Sequence, residues 1–461
     1  MGIGIYTANG VDVQGSTATN SLNTNVQGVA TVKYNSADHT LDSFERLRVA
    51  EPRIAFENSF AIIPSSMAAI WESTAYGVGT ETSNANAWTT DLNTTTATTT
   101  GRWIQSYQHI RYAPGVSTLL RFTFCFNQLI SNVMMRVGMF TDQGTFPSTS
   151  GDGLFIEASG STVSFVRRYF TSGAGQEERI AQSAWNIDKM DGTGTSGINL
   201  NWALSQHLVI EYQWLGVGTI RFGFETGAGG IVWAHQIISV NNLTVPWSRT
   251  GSLPVRAECY TYGAASQAGK LTLINCVVLQ EGDVKDLRGW RYFSQNSGTT
   301  VKTGGTAAGL YPMVSLRALL TSDITKRCTF VPVSASISVT VASTGGTSLQ
   351  WAILAAPTPL TGATFAATAS SSSSVGVDIA ATATTAVTGT ILASGVLPNA
   401  VGTYTIDLSY LKDNAIMPGQ NAAGGLTITG QNVITLAAGV LTGTATVAPN
   451  IAAAITWKEI V

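Results

Sequence analysis

Apolar and polar residues alternate with a period of two along most of this chain. Between about residues 103 and 280 the pattern recurs in STLLRFTFCF, MMRVGMF, GLFIEA, TVSFVRRYF, HLVIEYQWL, TIRFGFE, IVWAHQIISV and GKLTLINCVVL, with Gly, Asn, Asp or Ser between them. Successive side chains of a strand point to opposite faces, so this period predicts strands with one buried face. Many short strands separated by turn residues predict a β-sandwich or jelly roll. In WLGVGTIRFGF, Ile220, Phe222 and Phe224 fall on one face and Arg221 and Glu225 on the other, as in a hairpin. The SGS at 159–161 supplies another turn.

Alternation continues beyond residue 300 in CTFVPVSASISVTV, LQWAIL, TYTIDLSYL, NVITLAAGV and AAITWKEI, but the composition changes. Between Arg327 and Lys458 the only charged residues are Asp378, Asp407, Lys412 and Asp413. Small residues dominate there, which predicts a second sandwich with thin strands; helix is scarce, and SLRALL at 315–320 is the segment that best suits a short one. Residues 1–41 are rich in Thr, Asn and Gly and hold too few apolar residues for a core, so they read as an extended arm. The charged stretch at 42–60 is interrupted by Pro52, and the Thr-rich NAWTTDLNTTTATTTG that follows reads as a loop.

The expected fold is therefore all-β: two β-sandwich or jelly-roll domains preceded by an arm. The boundaries drawn are 1–60 for the arm and anchor, 61–282 for a lectin-like sandwich, 283–300 for a linker and 301–461 for the charge-poor sandwich.

Charge narrows the partners. Charged residues make up 11% of the chain, with a formal net charge of −2, against about 25% in ordinary domains. A surface so poor in charge is weakly protected against association, which suits a subunit covered in an assembly. Nucleic acid needs a concentrated basic face, and the densest basic cluster, VKDLRGWR, reads as solvated linker. No run reaches the roughly 20 apolar residues of a membrane helix, and MGIGIYTANG lacks the pattern of a secretory signal. Cys125, Cys259, Cys276 and Cys328 show no C-x-x-C spacing and read as small buried residues of a reducing compartment, with a Cys259–Cys276 disulfide the less favoured alternative.

Several motifs imitate chemistry. GTGTSG at 192–197 spells a dinucleotide fingerprint, with Glu211 downstream. It lacks the buried strand before it and the helix after it, so it reads as a loop between strands, with no cofactor expected. Ile198 and Asn199 stand where a phosphate-binding loop needs Lys and Ser or Thr. The four histidines, His39, His109, His207 and His235, have no metal-ligand spacing, so no metal site is expected. Glycoside cleavage needs two nearby carboxylates; Glu157 with Glu211 or Glu225 is a conceivable cross-strand pair, though solvated outer-face charges are the expectation. Trp185, Trp202 and Trp233 are candidate sugar-stacking residues, and tryptophans such as these and Trp214 also suit a sandwich core.

SFERLRVAEPRIAFENSF, WNIDKMDGTGTSGINLNWALSQHLVIEYQWLGVGTIRFGF and LQWAILAAPTPLTGATF followed by VDIAATATTAVTGTILASG resemble a family of tailed-bacteriophage virion structural proteins. The likeness spans most of residues 42–400. A longer Thr-rich loop at 89–100 departs from it and puts any inherited contact there in doubt. The resemblance implies a particle component of head, neck or tail, assembled in the host cytoplasm and without catalytic residues. It implies virion proteins as partners and, by analogy with particle appendages, a homotrimer. The expected role is decoration or fibre protein; the alternatives are a glycan-binding host adhesin and, less favoured, a glycan-depolymerising enzyme.

Overall fold

The computed structural model describes residues 5–6, 12–13, 52–67, 70–110, 112–142, 146–147, 149–227, 230–281, 290–296, 302–303, 305–318, 329–345, 348–367, 373, 375–381, 386–414 and 433–460. Among these residues the chain is all-β, and its helical turns are short 3-10 segments. Two hydrophobic cores lie far apart in sequence, one drawn from Phe56 to Val278 and the other from Tyr311 to Trp457. Each is built by two antiparallel sheets, giving two sandwiches.

In the first sandwich one sheet has seven strands. In spatial order they are Gln176–Ala181, Thr162–Tyr169, Gly153–Ser159, Val133–Phe140, Leu253–Thr261, Gly101–Ile110 and Trp71–Tyr76. The facing sheet runs Ile231–Ile237, Ile220–Glu225, Gln206–Tyr212, Ser117–Cys125, Lys270–Glu281, Thr89–Asn93 and Thr80–Asn84, with Pro52–Ser59 also paired to Lys270–Glu281. Inward residues alternate as the pattern requires: Val133, Met135, Val137 and Met139 on one sheet meet Leu208, Ile210 and Tyr212 of the other in one core. The Ile220, Phe222 and Phe224 face is buried in that core, and Phe165 stacks on Phe222 at 4.5 Å.

The second sandwich pairs Trp290–Asn296, Asn450–Ile460, Thr329–Val341 and Gly402–Asp407 in one sheet. The other sheet runs Ala366–Ala367, Val375–Asp378, Tyr311–Ala318, Val433–Val440, Leu349–Thr358 and Thr388–Leu397.

Four expectations need correction. Residues 315–318 of SLRALL belong to the strand Tyr311–Ala318, because pairing on both sides outweighs the helix propensity of Leu and Ala. The Thr-rich stretch is not all loop: Thr89–Asn93 is a strand between two neighbours, and the Thr90 hydroxyl donates to the Phe60 carbonyl at 2.8 Å. The arm drawn to residue 60 runs too far, since Pro52–Ser59 is a sheet strand and Phe56 and Phe60 are core residues. The linker drawn at 283–300 contains Trp290–Asn296, which pairs with the last strand. Of the rest of the arm, the structure describes a short pairing of Ile5–Tyr6 with Asp12–Val13.

Candidate functional site

The glycine-rich segment is a closed loop between strands. Asp188 is buried, and its carboxylate accepts the backbone N–H of Met190 at 2.8 Å and of Ser196 at 2.6 Å. A Cβ added at Gly194 would lie 1.9 Å from Asp188 Oδ1, so the carboxylate occupies the space a phosphate-binding turn would leave open. Gly192 takes φ +87° and its N–H reaches the Ile198 carbonyl at 2.9 Å. Glu211 points to the outer side of its strand, buried against Arg221 and the Ser117 hydroxyl.

The residues just before this loop stitch it to the edge strand Ile231–Ile237. The Asn186 amide donates to the Gln236 carbonyl at 2.8 Å and accepts its N–H at 2.9 Å, as a neighbouring strand would. The N–H groups of Ile187 and Asp188 both reach the Ala234 carbonyl. Asn186 N–H donates to His235 Nδ1, and burial lowers this imidazole to a pKa of about 4. The WLGVG turn works similarly: Trp214 Nε1 donates to Ser248 Oγ at 2.9 Å, and Trp247 N–H reaches the Gly216 carbonyl.

The carboxylates correct another expectation. Glu157 and Glu211 lie on different sheets, so they form no cross-strand pair, and both are buried rather than solvated. Glu225 is half-exposed beside Arg121 and His207. Burial lowers the His207 pKa, against the pull of Glu225.

On the outer face of the seven-stranded sheet, charges form a continuous chain. Arg168 meets Glu177 at 2.7 Å, Arg179 meets Glu157 at 2.7 Å, and Arg136 meets Glu157 at 2.8 Å and Glu258 at 3.3 Å. Arg256 meets Glu258 at 2.6 Å and Gln105 at 2.9 Å. Rings cover the guanidinium planes: Arg256 lies 4.3 Å from the Trp103 centroid, and Arg136 lies over Phe155 and Tyr260. Phe146 packs over Tyr76 and Tyr260. Burial would raise the carboxyl of Glu258, but Arg256 and Arg136 outweigh it and hold it below the usual range. Glu72, at the end of the chain of charges, is pushed up to about 7 by burial, with Arg256 pulling against this.

The three candidate tryptophans are not equivalent. Trp185 is buried, stacked on Phe165 at 4.2 Å, with Nε1 donating to the Ile180 carbonyl. Trp233 is buried beneath Arg221. Neither ring is available to a ligand. Trp202 is half-buried and lines a cavity of ≈ 520 Å³ shared with Asn127, Gln128, Leu129, Asn199, Leu200, Asn201 and Ala203. Small-molecule sites usually measure about 300–1,000 Å³.

Two loops at one end of the eight-stranded sheet make the cavity: one follows Ser117–Cys125, and the other precedes the adjacent strand Gln206–Tyr212. Cys125 ties them together, its thiol donating to the Ala203 carbonyl at 3.3 Å while its sulfur accepts the Asn127 N–H at 3.2 Å. Asn127 sits at φ +59°, its amide nitrogen within 3.1 Å of the Cys125 and Lys270 carbonyls and 3.0 Å of the Thr272 hydroxyl. Gln182 accepts Trp202 Nε1 at 3.2 Å and donates to the Lys189 and Met190 carbonyls. Sequence reading found Trp202 but missed the amides, which come from segments some seventy positions apart; the alternating Asn of INLNW was the visible signal.

Among the described residues no cluster of three His, Cys, Asp or Glu side chains could hold a metal ion. Cys125, Cys259 and Cys276 are free and buried, and burial pushes the thiols of Cys259 and Cys276 well up. Cys328 and His39 lie outside the described residues.

No family model matches the chain, and no curated protein does. Among solved structures, a β-1,3-1,4-glucanase from a mouse hindgut metagenome is similar over 48% of this chain and 97% of its own, at 14% identity and a TM-score of 0.29. An alginate lyase from a Chlorella virus is similar over 49% and 99%, at 10% identity and a TM-score of 0.33. A protein of unknown function from Shewanella oneidensis is similar over 54% and 93%, at 10% identity and a TM-score of 0.34.

Proposed function

We propose that this chain is a non-enzymatic structural component of a tailed-phage virion, a decoration or fibre-type protein held on the particle by its N-terminal segment. One observation carries the reading. The residues through which the sequence resembles that family serve architecture: Trp185, Asn186, Asp188 and Gly194 fasten one loop, and Trp214 and Gly216 fasten another.

The carboxylates support the same reading. Hydrolysis of a glycosidic bond asks one carboxyl to deliver a proton and a second to act on the sugar or on water. Glu157, Glu177, Glu211 and Glu258 are buried and occupied by guanidinium groups. Surface composition also supports an assembled subunit. The chain has 25 Lys and Arg and 27 Asp and Glu, and thirteen of those among the described residues are buried, so the exterior is poorer in charge than the sequence suggests.

The test is particle incorporation. Full-length chain and a chain lacking residues 1–41 are supplied to a phage whose own copy is deleted, and purified particles are probed by labelling electron microscopy. The full-length protein is expected on particles and the truncated one is not. Absence of the full-length protein from particles overturns the proposal; equal incorporation of both overturns the anchoring role of the arm.

A further inference from the structure

We infer that the cavity beside Trp202 is a binding site for a neutral saccharide. This goes beyond the particle role and does not depend on it. The lining holds an indole, four amide side chains, two leucines and an alanine, and no charged residue. An indole offers an apolar face to the C–H face of a sugar ring, while amides both donate to and accept from hydroxyls. With no cation in the lining, a carboxylated, sulfated or phosphorylated ligand would lose its hydration without a compensating partner.

The polar groups are held ready. Asn127 has its amide nitrogen committed to the Cys125, Lys270 and Thr272 oxygens, which leaves its carbonyl oxygen in a fixed position. Asn201 accepts the Ala203 N–H through its carbonyl oxygen, which leaves its NH2 to donate. The side chains of Gln128 and Asn199 have no hydrogen-bond partner among the described residues, and both are exposed at the cavity. Trp202 is fixed by Gln182, by Phe224 at 5.8 Å and by Phe126 at 5.9 Å. Asn127, Asn201 and Trp202 are tied before the ligand arrives, which saves the cost of ordering them on binding.

The experiment uses the full-length chain and a panel of maltotetraose, cellotetraose, tri-N-acetylchitotriose and lacto-N-tetraose, with sialyllactose and glucose 6-phosphate as charged controls. Binding is read by ligand-observed saturation-transfer NMR and by tryptophan fluorescence. At least one neutral oligosaccharide is expected to bind saturably in the millimolar range or better, and the charged controls are not. Gln128→Ala combined with Asn199→Ala removes no bond of the fold and is expected to weaken binding roughly tenfold. Trp202→Ala is expected to abolish it. Its fold is checked by thermal unfolding, and the double variant decides the question where Trp202→Ala is destabilised. Absence of binding to every neutral member, preference for the charged controls, or affinity unchanged in the double variant overturns the inference. Incorporation into particles is expected to be unaffected by the double variant, so failure of the particle role and failure of this site register in separate assays.

Discussion

Arg136→Met replaces the centre of the buried chain of charges with an uncharged side chain of similar reach. Arg136 is 4% exposed and lies between Glu157, 1% exposed, and Glu258, 0% exposed. Its removal leaves Glu157 relying on Arg179, whose side chain is 42% exposed, and Glu258 on its ion pair with Arg256. Removing one partner of a buried pair costs about 3–5 kcal/mol, because the remaining charge stays out of water. For a domain of this size each kcal/mol moves the midpoint by about 2–4 °C, so a fall of roughly 6–20 °C is expected. The assay is thermal unfolding followed by tryptophan fluorescence, since most of the tryptophans are in this sandwich. Arg121→Met is the control: its pair with Glu225 is about a third exposed at 3.0 Å and should be worth less than about 1 kcal/mol. Equal midpoints for the two variants would refute the reasoning, because the buried network would then contribute no more than a surface pair.

Other groups in the protein set further outcomes. Glu72 has its carboxyl raised to about 7 from 4.5, so the folded state keeps a proton that the unfolded chain releases. Its contribution to stability is present below about pH 4.5 and is lost as pH rises through 7; Glu72→Gln should therefore be more stable than wild type at pH 8, by up to about 3 kcal/mol, and equal midpoints there would contradict this. His235, lowered to about 4 from 6.5, acts in the opposite sense, its contribution present above about pH 6.5 and lost as pH falls through 4; His235→Gln should flatten the acid limb of a urea-midpoint profile. Gly194→Ala places a methyl against Asp188 and should cost about 1–3 kcal/mol in unfolding assays, while calorimetry with NAD or ATP detects no binding to either protein. Among the described residues Thr388–Leu397 is an edge strand without charge, with Ile391 58% and Val396 61% exposed. Such an edge invites pairing, so light scattering should find the chain as an oligomer, and Ile391→Lys with Val396→Lys should shift it towards 48.4 kDa. A wild-type monomer at micromolar concentration would contradict that expectation.

Strand alternation made much of the fold legible. Segments such as MMRVGMF and TIRFGFE announce themselves because one face meets a hydrophobic core and the other does not. Thr89–Asn93 escaped because its pattern is polar and β-branched, and its place depends on two partners distant in sequence. Residues 315–318 escaped because a short apolar run fits a helix or a buried strand equally well. The site was harder. Periodicity places Glu157 on an outer face but is silent about whether that face is wet, and the loop carrying Phe146 and the flanking arginines decide it. Trp185, Trp202 and Trp233 look alike in sequence, and only packing separates the half-exposed one from the other two.

The chain of charges also acts as a gauge for assembling the sheet. Every one of the seven strands carries a member or a ring packed against one, from Glu177 at one edge through Arg168, Glu157, Arg136, Glu258 and Gln105 to Glu72 at the other. Slipping any strand by one residue would turn its polar member into the hydrophobic core and leave its neighbours facing like charge or hydrocarbon. Uniform apolar faces would tolerate several alignments at similar free energy, whereas paired buried charges favour the one alignment that matches them. The same coupling constrains sequence change, because losing one of these charges leaves a buried partner uncompensated, whereas losing both members of a pair does not.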